Sequence, residues 1–162
     1  MSSSALSFAA VFAALYAAHQ VGDHWPSTHH GAVHKGLTRS EALAAGLGAW
    51  TGPRACAAHV ATYTATAVLF LAVLVWRTHL PLDPGRVGAG LLVSAVSHYW
   101  ADRRYTLRWL CERLAFLGKP AFYRLGAPRE GHDDNPTLGT GAYALDQSFH
   151  VLFLFTAALI TA

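Results

Sequence analysis

The stretch ACAAHVATYTATAVLFLAVLVW, Ala55 to Trp76, is a run of 22 residues without one formally charged side chain. As a helix rising about 1.5 Å per residue, it crosses a hydrocarbon core of about 30 Å. It is apolar nearly all round, whereas a surface helix of a small soluble bundle presents a polar face. Three more apolar segments accompany it, at about 5–20, 87–101 and 141–161. Across the chain, 53% of residues are apolar and only 13% are charged, about half the usual charged fraction. The pattern predicts an all-α fold, a four-helix transmembrane bundle forming a single integral membrane domain over residues 1–162. The first and third segments are short for a span and call for bilayer thinning or burial among neighbours. A soluble helical bundle is the alternative.

Charge is distributed by side. Lys35, Arg39 and Arg54 fall between the first two segments, and Arg103, Arg104, Arg108, Arg113, Lys119, Arg124 and Arg129 between the last two. Only Arg77 and Arg86 fall between the second and third. Basic loops stay cytoplasmic, so both termini are expected outside. Trp25, Trp76 and Trp100 lie near span ends, where aromatic belts form. The net charge of +3 is then topological: the expected partner is the lipid bilayer, with no nucleic acid. No Lys or Arg precedes the first apolar run, so it lacks the basic start of a secretory signal and is expected to stay in the mature protein. Cys56 and Cys111 have no CxxC partner, which disfavours a disulfide framework or a cysteine zinc site.

Between the third and fourth spans, TLRWLCERLAFLGK from Thr106 sets Leu107, Leu110, Cys111, Leu114 and Leu117 at helical spacing. It predicts an amphipathic helix on the cytoplasmic surface, or a lid over the bundle, stopped by Lys119-Pro120. A short helix is expected after Ser40 as N-cap, ending before Gly52-Pro53, and Thr140 is expected to cap the last helix. Gly90 and Ser94 read as close helix packing.

Each apolar segment carries a polar pair four residues apart: His19 and Asp23, His59 and Tyr63, His98 and Asp102, Asp146 and His150. That spacing puts both members on one helix face. Antiparallel connection brings all four pairs to the cytoplasmic end, and ionisable groups at membrane depth face the bundle interior. Four imidazoles and three carboxylates suit a divalent transition metal (Zn, Mn or Fe), as one or two ions. The metal ligands, direct or orienting, are expected to be His19, Asp23, His59, His98, Asp102, Asp146 and His150. A buried hydrogen-bond network that fastens the helices without metal is the other reading. Tyr63 and Cys56 read as structural. Of His24, His29, His30 and His34 in the first loop, one or two are expected to reach the site. His132, Asp133 and Asp134, ahead of Asn135-Pro136, read as a solvated turn.

The ordered series H-x3-D at His19, K-G at Lys35, H-x3-Y at His59, S-H-x3-D at Ser97 and D-Q-x2-H at Asp146 resembles the bacterial membrane family catalogued as domain of unknown function 3307. DDNPTLGTGAYALDQSFH is most similar to its actinobacterial members. Where that family often has a Gln in the first loop, this chain has Ser27. The resemblance implies a multi-pass protein of the bacterial cytoplasmic (inner) membrane and supplies no activity. A metal-dependent hydrolase of an amphiphilic or lipid-linked (phospho)ester is one expectation. In it Asp23, Asp102, Lys35 and Arg103 are catalytic, and Lys35 with Arg103 and Arg104 clamps an amphiphilic anionic substrate. A non-enzymatic scaffold, regulatory or metal-binding subunit is the other. The oligomeric state is open. No GxxxxGK[ST], HExxH, GxSxG or GxGxxG sequence is present.

Overall fold

Each apolar segment folds as one helix, and the first three run beyond their apolar residues. The computed structural model describes residues 3–127 and 140–162. Its helices are α1 (Ser3–His24), α2 (His29–His34), α3 (Arg39–Ala44), α4 (Thr51–Thr78), α5 (Pro84–Asp102), α6 (Tyr105–Arg113), α7 (Lys119–Tyr123) and α8 (Gly141–Thr161), with a 3-10 turn at Ala115–Leu117. The described residues contain no strand. α1 packs against α4 and α8, and α5 packs against the same two, so the long helices close a ring in the order α1, α4, α5, α8.

The ring's core is built from Val11, Leu15 and Ala18 of α1, Ala67 and Leu71 of α4, and Leu154, Ala157 and Ala158 of α8. α5 presents small and polar groups inward: Gly90, Ser94, Ser97, His98 and Asp102 are all buried. A Cβ at Gly90 would strike the Ala157 carbonyl and the Thr161 hydroxyl, so glycine lets α5 and α8 approach. The outer faces are apolar and open. Leu69, Leu92, Val96, Leu152 and Leu159 are all between 56% and 64% exposed, a surface suited to lipid contact rather than water. Residues 4–24, 51–78 and 141–161 are long and apolar enough to cross a membrane. α5, at 19 residues, is not among them: its glycines and serines, with Arg86, His98 and Asp102, lower its mean hydropathy.

The connections differ from expectation in two places, the cap of α3 and the role of Lys119-Pro120, while α3 ends at Ala44, before Gly52-Pro53, as expected. The cap of α3 is Thr38, not Ser40: its hydroxyl accepts from Glu41 N–H while the Glu41 carboxylate accepts from Thr38 N–H. Two donors satisfied reciprocally outweigh the single one Ser40 could offer. Gly52-Pro53 lies inside the first turn of α4, where a missing N–H costs nothing. The amphipathic helix ends at Arg113, and Lys119-Pro120 opens α7 instead of stopping α6. Thr140 does cap α8, accepting from Tyr143 N–H at 3.2 Å. The turn at His132–Pro136 and Arg129 lie outside the described residues.

Candidate metal centre

All four polar pairs meet inside the ring. His19 and Asp23 come from the last turns of α1, His59 and Tyr63 from α4, His98 and Asp102 from the end of α5, Asp146 and His150 from the start of α8. The His98 ring lies 5.5 Å from that of His19 and 4.2 Å from that of His150, centroid to centroid. His19, His98, Asp102 and His150 are each at most 3% exposed. Asp146 is the most open, at the rim, with its side chain 25% exposed.

The ligating atoms crowd together, and His59 Nε2 meets His98 Nε2 at 3.2 Å. His98 Nε2 is 3.2 Å from both Asp23 Oδ1 and Asp102 Oδ2, and His59 Nε2 is 3.1 Å from Asp102 Oδ2. His19 Nε2 is 3.5 Å from Asp23 Oδ2, and His150 Nε2 is 3.5 Å from Asp146 Oδ1. Yet both ring nitrogens of His19, Asp23 Oδ1, Asp102 Oδ2 and His150 Nε2 make no hydrogen bond among the described residues. Buried polar atoms ordinarily find a partner, since an orphan costs about 1–3 kcal/mol. Two ligands that each sit about 2.1 Å from a tetrahedral ion stand ~3.4 Å from one another. The observed spacings match that, so these residues fit a divalent ion.

Three groups have ligand atoms close enough for one ion: His19, Asp23, His98 and His150; His59, His98 and Asp102; and Asp102, Asp146 and His150. They overlap. An imidazole nitrogen has one lone pair, so His98 cannot serve the first two groups through the same atom, nor His150 the first and third. Lys35 separates them further. Its ammonium is 2.8 Å from Asp102 Oδ1 and 3.3 Å from His59 Nε2. A divalent ion in either group that contains Asp102 would lie against that fixed cation. The group of three imidazoles and Asp23 contains no residue in contact with Lys35.

Supporting contacts fix the rings. Ser27 Oγ lies 2.8 Å from His59 Nδ1, which turns Nε2 inward, as partners of ligating imidazoles do. Tyr63 stacks on His98 at 4.1 Å, and its hydroxyl meets Ser94 Oγ at 2.6 Å. Sequence reading assigned Ser27 no contact: it sits in a loop 32 residues from His59, and a serine in a loop carries no spacing signal. Ser94 was read as packing alone and also carries this bond.

Arg103 is placed differently from the anion clamp expected of it. Its guanidinium donates to the carbonyls of Lys35 at 2.6 Å and Leu37 at 2.7 Å. It clasps the loop that delivers Lys35, and a Cβ at Gly52 would collide with Leu37 O and with Arg103 itself. Arg104 donates to Ala32 O at 2.9 Å and is otherwise open to the outside. A cleft of about 440 Å³ leads from the loop-bearing end of the ring to the centre, lined among others by Asp23, His24, Lys35, Asp102, Arg104 and Asp146. Of the first-loop histidines, His24 therefore reaches the site's approach; His29, His30 and His34 are not among that cleft's lining residues. Cys56 is buried, its thiol 3.6 Å from Tyr99 O, as a packing residue.

No family model matches the chain, and neither a curated protein nor a solved structure matches it.

Proposed function

We propose that this chain is a four-span protein of the bacterial inner membrane, a member of the family it resembles, that holds one divalent transition ion among His19, Asp23, His98 and His150. The reading rests on one observation: His19, Asp23, His98 and His150, from three helices, converge at coordination spacing, and both ring nitrogens of His19, Asp23 Oδ1 and His150 Nε2 lack hydrogen bonds among the described residues. Soft thiolates are absent from this set, and three imidazoles with a carboxylate suit Zn, Fe or Mn. α5 is the fourth span, its polar face turned into the ring and its flanks covered by α4 and α8. With the basic loops cytoplasmic, the centre sits just beneath the inner leaflet and both termini lie outside.

A hydrolytic role follows from the surroundings. A bound divalent ion supplies Lewis acidity and lowers the pKa of water it holds. Asp23 and Asp102 stand on either side of His98 to accept a proton, Lys35 neutralises Asp102 Oδ1, and Arg104 stands at the cleft to meet an anionic group. Arg103 keeps Lys35 in position. The competing reading, a scaffold or regulatory subunit fastened by a polar network, draws support from the Lys35–Asp102 ion pair and the Tyr63–Ser94 bond, which are complete without metal.

Elemental analysis of the full chain purified in mild detergent separates the two. One equivalent of transition metal, lost in His98→Ala with helicity intact, supports the metal centre. Metal-free wild type that is fully helical supports the polar network.

A further inference from the structure

Besides the polar cleft, the α5–α8 seam carries a second cavity, a groove of about 460 Å³ lined by Leu92, Val93, Val96, Trp100, Phe149 and Phe153, with Ser97 its one polar side chain. It opens on the outer, lipid-facing side of the same two helices that supply His98, Asp102, Asp146 and His150. The two cavities are in register. On α8, Ala142 and Asp146 line the cleft while Phe149 and Phe153 line the groove; at i, i+4, i+7 and i+11 they form one continuous stripe. On the other wall, Val93, Val96 and Trp100 line the groove, and four residues on Arg104 lines the cleft. Trp100 stacks on Phe149 at 5.2 Å at the end of the groove nearer the cleft. From Leu92 to Trp100 the groove follows ~12 Å of helix, directed toward the bilayer centre.

Arg104 has a further peculiarity. It holds φ 55°, a left-handed conformation that disfavours a side chain bearing Cβ and persists where its surroundings over-determine it. The corner after α5 keeps an arginine at the cleft despite that cost.

We propose that the α5–α8 seam binds a membrane amphiphile, with its anionic head in the cleft beside Lys35 and Arg104 and its hydrocarbon chain in the groove below. The head's placement rests on the metal reading, because Asp23, Asp102 and Asp146 outnumber the two cations in the cleft until a divalent ion reverses the balance. The chain's placement does not depend on it. A phosphate monoester of a long alkyl chain is the simplest molecule with both parts.

The test compares dodecyl phosphate with inorganic phosphate by titration calorimetry on the full chain in a sterol-based detergent. Metal content is measured on the same samples. Dodecyl phosphate is expected to bind at least roughly tenfold tighter than inorganic phosphate. Val96→Trp and Leu92→Trp, at exposed positions that fill the groove, are expected to erase that ratio without changing metal content. Arg104→Gln is expected to weaken both ligands alike. A ratio near one, no binding of dodecyl phosphate, or a ratio indifferent to both tryptophans overturns the inference, as does a change of oligomer mass in those variants, which would assign the groove to a second copy. Full metal content with a ratio of one sinks the groove alone. Metal-free protein with the ratio preserved sinks the metal centre alone.

Discussion

His59 shows how the centre depends on groups that are not ligands. Its ring is turned by Ser27. Ser27→Ala, two contacts removed from the ion through His59 and His98, is expected to lower ion affinity by less than the roughly tenfold that loss of a ligand's own partner costs, read by competition with a chromophoric chelator, with Ser27→Thr restoring most of it. Asp146 is the converse case: it lies outside the group of three imidazoles and Asp23, so Asp146→Asn is expected to leave the metal in place. Loss of the ion in that variant would move the site to the group of Asp102, Asp146 and His150. Lys35 neutralises a carboxylate whose side chain is 3% exposed, while its own is 16% exposed. Removing it as Lys35→Met is expected to destabilise metal-free protein by about 3–5 kcal/mol, measured by thermal unfolding in detergent. The paired residues were legible in the sequence because four-residue spacing fixes a common helix face. The contacts of Ser27, Lys35 and Arg103 were not, because loop conformation decides them and no period announces it.

The helices tell the same story with different signals. Apolar runs announced α1, α4, α5 and α8 but not their true lengths, since His19 to His24 continue α1 through a polar turn that points into the ring. Pro120 was legible as a boundary, and its direction was ambiguous: proline ends one helix or begins the next. At α3 the Thr38-x-x-Glu41 spacing was present in the sequence and is what the fold uses. Hydrogen bonds from the Thr38 backbone N–H, then its hydroxyl, hold the Glu41 carboxyl below its ordinary value. A lowered folded value means the cap is complete above the unfolded carboxylate pKa and weakens as pH falls through the lowered one. Amide exchange across residues 38–41 is expected to accelerate in that acidic window, and Thr38→Ala to abolish the dependence. In the seam, Gly90→Val is expected to force α5 from α8 at a cost of about 1–3 kcal/mol, seen as a lower melting temperature.

For the chain as a whole, sidedness is the property that everything else needs. Both native cysteines are buried, so single cysteines introduced at exposed positions report cleanly. Arg124→Cys is expected to resist a membrane-impermeant maleimide added to intact cells and to react in inverted vesicles, and His79→Cys to do the opposite. Reaction of both from the same side would remove α5 as a span. Helices long and apolar enough to cross a membrane were readable from their charge-free runs, and the ring order follows chain order, whereas the closeness of α5 to α8 depends on the surfaces that meet at Gly90. Past the histidines the interior is closed by Val11, Leu15, Ala67, Leu71, Leu154 and Ala157, each no more than 4% exposed. The centre is thus a blind alley. Whatever enters by the cleft must back out the same way, so a bundle of this form can hold an ion at one end without opening a path to the other.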